Sequence, residues 1–307
     1  MPTLADSAVL AAFDGIRVWQ RASHRAPHKP LLVLLVLGRL WRGLPATVEF
    51  SAIDADLRQL LIRFGPASAA SSHHYPFWHL KTDGIWVLGA PSAMLQRPAR
   101  ATPTLTELRN EHVTGAFAPE IVDALQRNRL LISTLAARIA QAHFPESLQR
   151  DVLEAVGFDV DEFAGGGGPV APQRQRDPAF RAKVMLAYEY RCCLCGHDLR
   201  VGGQVVGLEA AHIQWFQANG PDIEPNGLAL CSLHHKLFDL GVFTVLAETY
   251  LVLVTQHVTG SNTPRDRLLA YHGAGLILPQ SRAYYPHPQF LDWHKKEVFK
   301  EPARDIG

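Results

Sequence analysis

Residues 230–241 read LCSLHHKLFDLG, and four of them, Cys231, His234, His235 and Asp239, crowd onto little more than two turns of a candidate helix. Any one of these residues has an ordinary structural explanation, but the four together ask for a chemical one. His235 and Asp239 stand four residues apart, so a helix places both on one face. An imidazole and a carboxylate so placed can hold a divalent cation together. Cys231-x-x-His234 is half of a metal-ligand set, and its partner lies upstream in YRCCLCG, residues 190–196, as Cys192-x-x-Cys195. Two thiolates from a tight knuckle and a Cys/His pair from a helix start make a Cys3His set suited to tetrahedral structural zinc. Cys193 is left over and reads as a packing residue. All the cysteines of the chain fall within this region, and in a reducing compartment that clustering favours metal over disulfides.

The 307 residues suffice for two domains of ordinary size, and 47% hydrophobic with 19% charged content suits globular cores. A formal net charge of +1 says nothing by itself about nucleic acid. The distribution says more: Arg17, Arg21, Arg25, Lys29, Arg39 and Arg42 fall between Gly15 and Thr47 with no acidic residue among them. A second basic cluster, Arg174, Arg176, Arg181 and Lys183, precedes the cysteines. The first residues lack a signal-peptide layout, and LLVLLVL at 31–37 is too short to span a bilayer. The expected setting is cytoplasmic, with no membrane partner.

FAGGGGPVAP, residues 163–172, cannot continue a helix or strand and reads as a flexible linker. It divides the chain into 1–162 and 173–307. The first part reads as α-rich: HKPLLVLLVLGRLW and DADLRQLLIRF carry helical patterns, as do 118–126 and 128–142. Pro30 takes a first-turn position in the first of these helices, whose N-terminus is a ready phosphate site. A short β-hairpin is expected at FWHL-KTDG-IWVLG, with Asp83-Gly84 as its turn. The second part reads as a helix near 177–190, strands near 205–212 and 227–230, and the helix quoted first.

Around the metal-ligand pairs, VVGLEAAHI (205–213) ends in His212-Ile213, and EPNGLALC (224–231) supplies Asn226. His212, Asn226 and His235, wrapped around CxxC and CxxH, resemble the HNH endonucleases with a zinc-stapled ββα-metal core, over about residues 176–245. The resemblance implies His212 as general base toward a water that attacks phosphorus. It implies His235, with Asp239, as ligands of Mg²⁺ or Mn²⁺, and Asn226 as the residue that ties the loop to the base. One departure stands out. Many such enzymes carry an aspartate ligand just before the base, where this chain has Ala211, with Glu209 two residues further back.

In the first part, PHKPLL (27–32), YPFWHLKTDGIW (75–86) and NEHVTGAF (110–117) resemble the sulfur-binding domain of phosphorothioation-dependent restriction endonucleases. That family joins such a domain to an HNH nuclease of the McrA type, in this order. The resemblance implies an apolar cup of Tyr75, Pro76 and His79 for the sulfur, with His79 replacing the small residue often found there. His28, Lys29 and either Arg109 or His112 would contact the DNA around it. A softer, less hydrated sulfur enters an apolar cup at small cost, whereas a phosphate oxygen loses water without gaining a donor.

The expectation is thus an α+β protein: an α-rich sulfur-binding domain with a short hairpin, linked to an HNH domain. It would restrict double-stranded, phosphorothioated DNA using structural zinc and a catalytic divalent cation, and a homodimer is an open assembly state. Two other readings stand beside it: an HNH enzyme directed to methylated or unmodified DNA, and a non-catalytic zinc DNA-binding protein.

Overall fold

The computed structural model describes residues 4–16, 27–98, 101–159 and 177–306. The expected linker at 163–172 lies outside them, as do Arg17, Arg21, Arg25, Arg174 and Arg176. The described residues form two compact units that divide after residue 173, and each is taken by itself.

The first unit is built on α2 (His28–Trp41), preceded by α1 (Asp6–Asp14). Every residue from Leu31 to Leu37 is buried, and a helix apolar all round must be surrounded. α3 (Phe50–Phe64), α4 (Tyr75–His79) and α8 (Arg129–His143) do so. Between them run β1 (Val48–Glu49), β2 (Trp86–Gly89), α5 (Ser92–Leu95), α6 (Leu105–Asn110), β3 (Thr114–Phe117) and α7 (Pro119–Arg127). Helix α9 (Glu146–Ala155) follows and packs on α8 and α3. The helix α6 starts on a capping box, Thr104 with Glu107.

The strands form an antiparallel sheet in the order β1-β3-β2. Here the structure departs from the expected hairpin. FWHL is not a strand: Tyr75–His79 is a helical turn, followed by a 3-10 turn over Leu80–Asp83. Pro76 near the helix start supplies a helical φ and removes a donor no strand ladder could spare. Phe77, Trp78 and Leu80 are all buried, which a strand, sending alternate side chains outward, would not achieve. Gly84 still turns the chain, at φ 77°. The partner of β2 is β3, paired from Trp86↔Phe117 to Gly89↔Thr114. Gly115 permits this packing, since a Cβ there would stand 2.2 Å from the Trp86 ring.

The second unit begins with α10 (Phe180–Ala187) and a two-stranded ribbon, β4 (Arg200–Val201) with β5 (Gln204–Val205). Then β6 (Leu208–His212) and β7 (Gly227–Cys231) pair antiparallel, from Leu208↔Cys231 to His212↔Gly227. Helix α11 (Ser232–Asp239) follows directly, completing a ββα unit. The pair β8 (Phe243–Val245) and β9 (Val252–Val254), then α12 (Asn262–Leu269) and α13 (Pro288–Glu297), extend the chain. Phe180, Val184, Leu228, Leu230, Phe238 and Phe243 lie in one core. Among the described residues no helix is long and apolar enough to cross a membrane.

Candidate functional site

The ββα unit gathers two clusters of side chains. The first is Cys192, Cys195, Cys231 and His234, whose ligand atoms all lie within 4.8 Å of one another. Backbone bonds shape the knuckle: Gly196 N–H donates to Cys192 O at 2.8 Å, and Cys192 N–H to His197 O at 2.9 Å. Cys193 N–H reaches Ala229 O at 2.8 Å and docks the knuckle on β7. Its thiol is buried in the core, away from the cluster. The His234 Nδ1 atom sits 3.6 Å from Cys192 Sγ and 3.2 Å from Cys231 Sγ. Tetrahedral zinc, with bonds of about 2.0–2.3 Å, sets its ligands roughly 3.5–3.8 Å apart, so the set is compatible with that ion. The thiols share their protons: hydrogen bonding with Cys231 holds the Cys192 thiol down, while Cys231 and Cys195 are pushed up. Metal binding would release the protons that remain on Cys195 and Cys231 and let all three sulfurs ligate.

The second comprises the surroundings of two imidazoles, His212 at the end of β6 and His235 on α11. His212 ends β6 with its ring stacked on Phe180 of α10, centroids 4.1 Å apart and 18° between planes. Its Nε2 lies 2.7 Å from Asp222 Oδ1. Asn226 is fully buried and spent on the connecting loop. Its Oδ1 accepts from Gln214 N–H at 2.8 Å, and its Nδ2 donates to Gln214 O at 3.0 Å and Pro221 O at 2.9 Å. Gly220 must be glycine for this clamp, because a Cβ would stand 1.7 Å from Gln214 O and 2.8 Å from Asn226 Nδ2.

His235 lies between two carboxylates. Its Nδ1 is 2.6 Å from Glu209 Oε2, and its Nε2 is 3.1 Å from Asp239 Oδ2, four residues along α11. Glu209 also accepts from the Ser232 hydroxyl at 2.8 Å. Ala211, by contrast, is buried and carries no ligand atom, so Glu209 is the acidic group that β6 brings to this helix. Burial lowers the His235 pKa, but the charges and hydrogen bonds of Asp239 and Glu209 outweigh it and raise it to about 10. The C-terminal helix supports α11 from beneath. His294 of α13 lies flat on Phe238, centroids 3.6 Å apart, and donates from Nε2 to Phe238 O at 3.1 Å. Its Nδ1 accepts from Thr244 Oγ1 at 2.9 Å, and burial depresses its pKa to about 4. The neutral ring so fixed anchors the helix between His235 and Asp239.

In the first unit the residues singled out in sequence converge on the start of α2 and the turn of α4. His28 Nε2 is 3.3 Å from Ser72 Oγ, and Lys29 Nζ pairs with the buried carboxylate of Asp83. Tyr75 is 48% exposed beside buried Pro76, its ring 4.6 Å from that of His74 and 6.2 Å from that of His79. His79 Nε2 is 2.7 Å from Thr102 Oγ1. Burial, then the charges of Lys29 and Lys81, lower its pKa and keep the ring neutral. Arg109 bonds Asp54 through Nε at 2.7 Å and through Nη2, and the same carboxylate holds buried His73 at 2.5 Å. His73 leads through His74 to Tyr75, with rings 5.9 Å and 4.6 Å apart. His112 stands apart from this group, exposed and 2.9 Å from Glu49.

Sequence reasoning missed Asp54, Asp83, Thr102 and Asp222. Asp54 did leave a signal: it occupies an apolar position of α3, in line with Phe50, Leu57 and Leu61. A carboxylate on a buried stripe needs a partner.

The family model described as the ScoMcrA-like DNA sulfur-binding domain matches residues 6–161, just over half of the chain. The HNH endonuclease model matches residues 192–246. Among solved structures, the sulfur binding domain of ScoMcrA complexed with phosphorothioated DNA is 21% identical, with TM-score 0.42, covering 48% of this chain and 98% of that one. The corresponding SprMcrA domain complexed with phosphorothioated DNA is also 21% identical, with TM-score 0.42, covering 50% and 94%. The Type IV phosphorothioation-dependent restriction endonuclease ScoMcrA is 18% identical, with TM-score 0.43, covering 58% of this chain but 34% of that enzyme. No curated protein matches the chain.

Proposed function

Because the chain belongs to the ScoMcrA-like DNA sulfur-binding domain family and carries an HNH endonuclease domain after it, we propose that it is a modification-dependent restriction endonuclease. It binds phosphorothioated double-stranded DNA through residues 1–162 and hydrolyses phosphodiester bonds through residues 173–307, with 163–172 as the link between them. The observation that carries the nuclease part is the ββα placement of His212 at the end of β6, with the His235–Asp239 pair on α11.

In this reading His212 takes a proton from water as the water oxygen bonds to phosphorus. The P–O3′ bond breaks, and the 3′-oxygen leaves with its electron pair and is protonated by solvent. Asn226 keeps the loop after His212 in place through its three side-chain bonds to backbone. His235 and Asp239, with Nε2 and Oδ2 3.1 Å apart, would hold a Mg²⁺ or Mn²⁺ ion once it displaces the proton that the two carboxylates keep on the ring. Such an ion would supply positive charge for the phosphate and leaving oxygens. Cys192, Cys195, Cys231 and His234 would hold a zinc ion that staples the fold.

Sulfur selection is assigned to Tyr75, Pro76 and His79. The exposed Tyr75 ring, buried Pro76 and neutral His79 support an apolar contact rather than a charged one. His28, Lys29 and Arg109 then contact the flanking backbone and base edges. Burying a sulfur-sized apolar surface contributes on the order of 1 kcal/mol. Exclusion of a hydrated oxygen adds about 1–3 kcal/mol, for a combined preference of about 30- to 1000-fold.

The test is titration of full-length His212→Ala protein, which binds without cutting, with two duplexes that differ by one sulfur atom. Tyr75→Ala is expected to erode the preference for sulfur with little change in salt dependence. Lys29→Ala is expected to weaken both duplexes alike and to reduce the salt slope by about one phosphate contact. Equal affinity of the parent for both duplexes would remove sulfur recognition. Cleavage of a methylated or plain duplex by the native protein would then favour a methyl-directed or unselective HNH enzyme.

A further inference from the structure

Asp222 lies in the connection between β6 and β7, and nothing in its immediate sequence, GPDIEPNG, marks it as functional. Its side chain is 9% exposed and makes two contacts of opposite origin. Oδ1 lies 2.7 Å from His212 Nε2, and Oδ2 accepts from the backbone N–H of Asp177 at 2.8 Å, just ahead of α10. We propose that Asp222 is the positioning residue of the nuclease site: its carboxylate holds the His212 ring in the Nε2–H tautomer and leaves Nδ1 to take the proton from water. The proposal rests on the nuclease reading of His212.

Three features of the structure carry it. A carboxylate oxygen accepts, so the imidazole nitrogen facing it is the one that carries hydrogen, and the lone pair falls on the other nitrogen. The ring has little freedom to turn away, because Phe180 stacks on its face at 4.1 Å. The loop that delivers Asp222 is itself stapled. Asn226 bonds Gln214, two residues after His212, and Pro221, the residue before Asp222. Asn226 therefore holds the backbone two residues past the base and one residue before its carboxylate, fixing the two relative to each other. The Asp177 N–H fixes the second oxygen and sets the carboxylate plane.

The chemical consequence follows from charge. As the water oxygen bonds to phosphorus and its proton passes to Nδ1, the ring becomes an imidazolium next to the Asp222 carboxylate. The developing positive charge is stabilised where the ground-state neutral ring gains less, which is the condition for raising kcat rather than lowering KM. The same division of roles between an imidazole base and an orienting carboxylate occurs in hydrolases with a Ser-His-Asp triad, where an amide replacement leaves geometry but gives the wrong tautomer.

The experiment compares full-length native protein with Asp222→Asn in the presence of Mn²⁺ on a phosphorothioated duplex. Asp222→Asn is expected to lower kcat by at least about 100-fold, with KM, duplex affinity, zinc content and melting temperature unchanged. A kcat within threefold of native would overturn the proposal, as would a loss confined to KM or to duplex binding. Nitrogen-15 spectra of histidine-labelled native protein, with His212 assigned by its disappearance in His212→Gln, supply a second readout that needs neither turnover nor a stable Asp222 variant. Protonation of Nε2 in the neutral ring is expected, and a neutral ring protonated at Nδ1 would overturn the proposal. Native protein that cuts no duplex would defeat the nuclease reading alone, and the tautomer spectrum would still decide the Asp222–His212 pairing.

Discussion

His212→Ala is expected to reduce cleavage of a phosphorothioated duplex by about 100- to 10,000-fold, while affinity for that duplex stays within a factor of two. The reasoning separates two units of structure. His212 sits at the end of β6 against Phe180 and Asp222 in the second unit, whereas the residues assigned to sulfur and backbone contact belong to the first. The His212 side chain is only 13% exposed and packs on Phe180 beside Asp222, so truncation also lowers the stability of the second unit, which a melting curve reads separately from cutting. The measurement is single-turnover cleavage alongside a gel-shift titration on the same duplex. Native-rate cutting by His212→Ala would assign the base elsewhere. Parallel loss of binding would place His212 in DNA contact instead.

Removal of the metal from the Cys3His set is expected to unfold the second unit and leave the first one folded. Structural zinc contributes about 10–16 kcal/mol in small metal-stapled units, against a total stability of about 5–15 kcal/mol for a typical domain. The cluster ties together the knuckle at Cys192–Cys195, the end of β7 and the first turn of α11. Its loss releases the helix that carries His235 and Asp239. Native protein should contain one zinc per chain by elemental analysis. Cys192→Ser, or prolonged dialysis against a strong chelator, should abolish one of two melting transitions and preserve the other. Retention of both transitions in Cys192→Ser, or an absence of zinc in active protein, would contradict this account.

The short-range patterns of the sequence account for a good part of this architecture. A CxxC knuckle, a CxxH pair and an i, i+4 histidine and aspartate involve residues within one or two turns of each other. Local backbone geometry alone brings their atoms together, so spacing is informative. The wholly apolar run 31–37 likewise dictated a surrounded helix, and α2 spans His28–Trp41 as its pattern implied. Local reading failed at FWHL, where aromatic content suggested a strand. Pro76 and the need to bury Phe77, Trp78 and Leu80 together favoured a helical turn instead.

What tertiary structure alone decided is the set of carboxylates behind the functional side chains. Lys29 meets Asp83 across 54 residues and Arg109 meets Asp54 across 55. His235 meets Glu209 across 26, and His212 meets Asp222 across a loop of irregular backbone. The chain holds 29 acidic residues, and most acids on a protein are simply solvated, so no spacing rule distinguishes these few. Their selection depends on which strands pair, in which register, and on which loops are stapled. The register Ala211↔Leu228 buries Ala211 and leaves Glu209 at the edge near α11. The Asn226 clamp then turns Asp222 toward His212. Partner choice of this kind follows from burial, since a charge or imidazole withdrawn from water must find its counterpart among whatever groups the packed chain brings within about 3 Å.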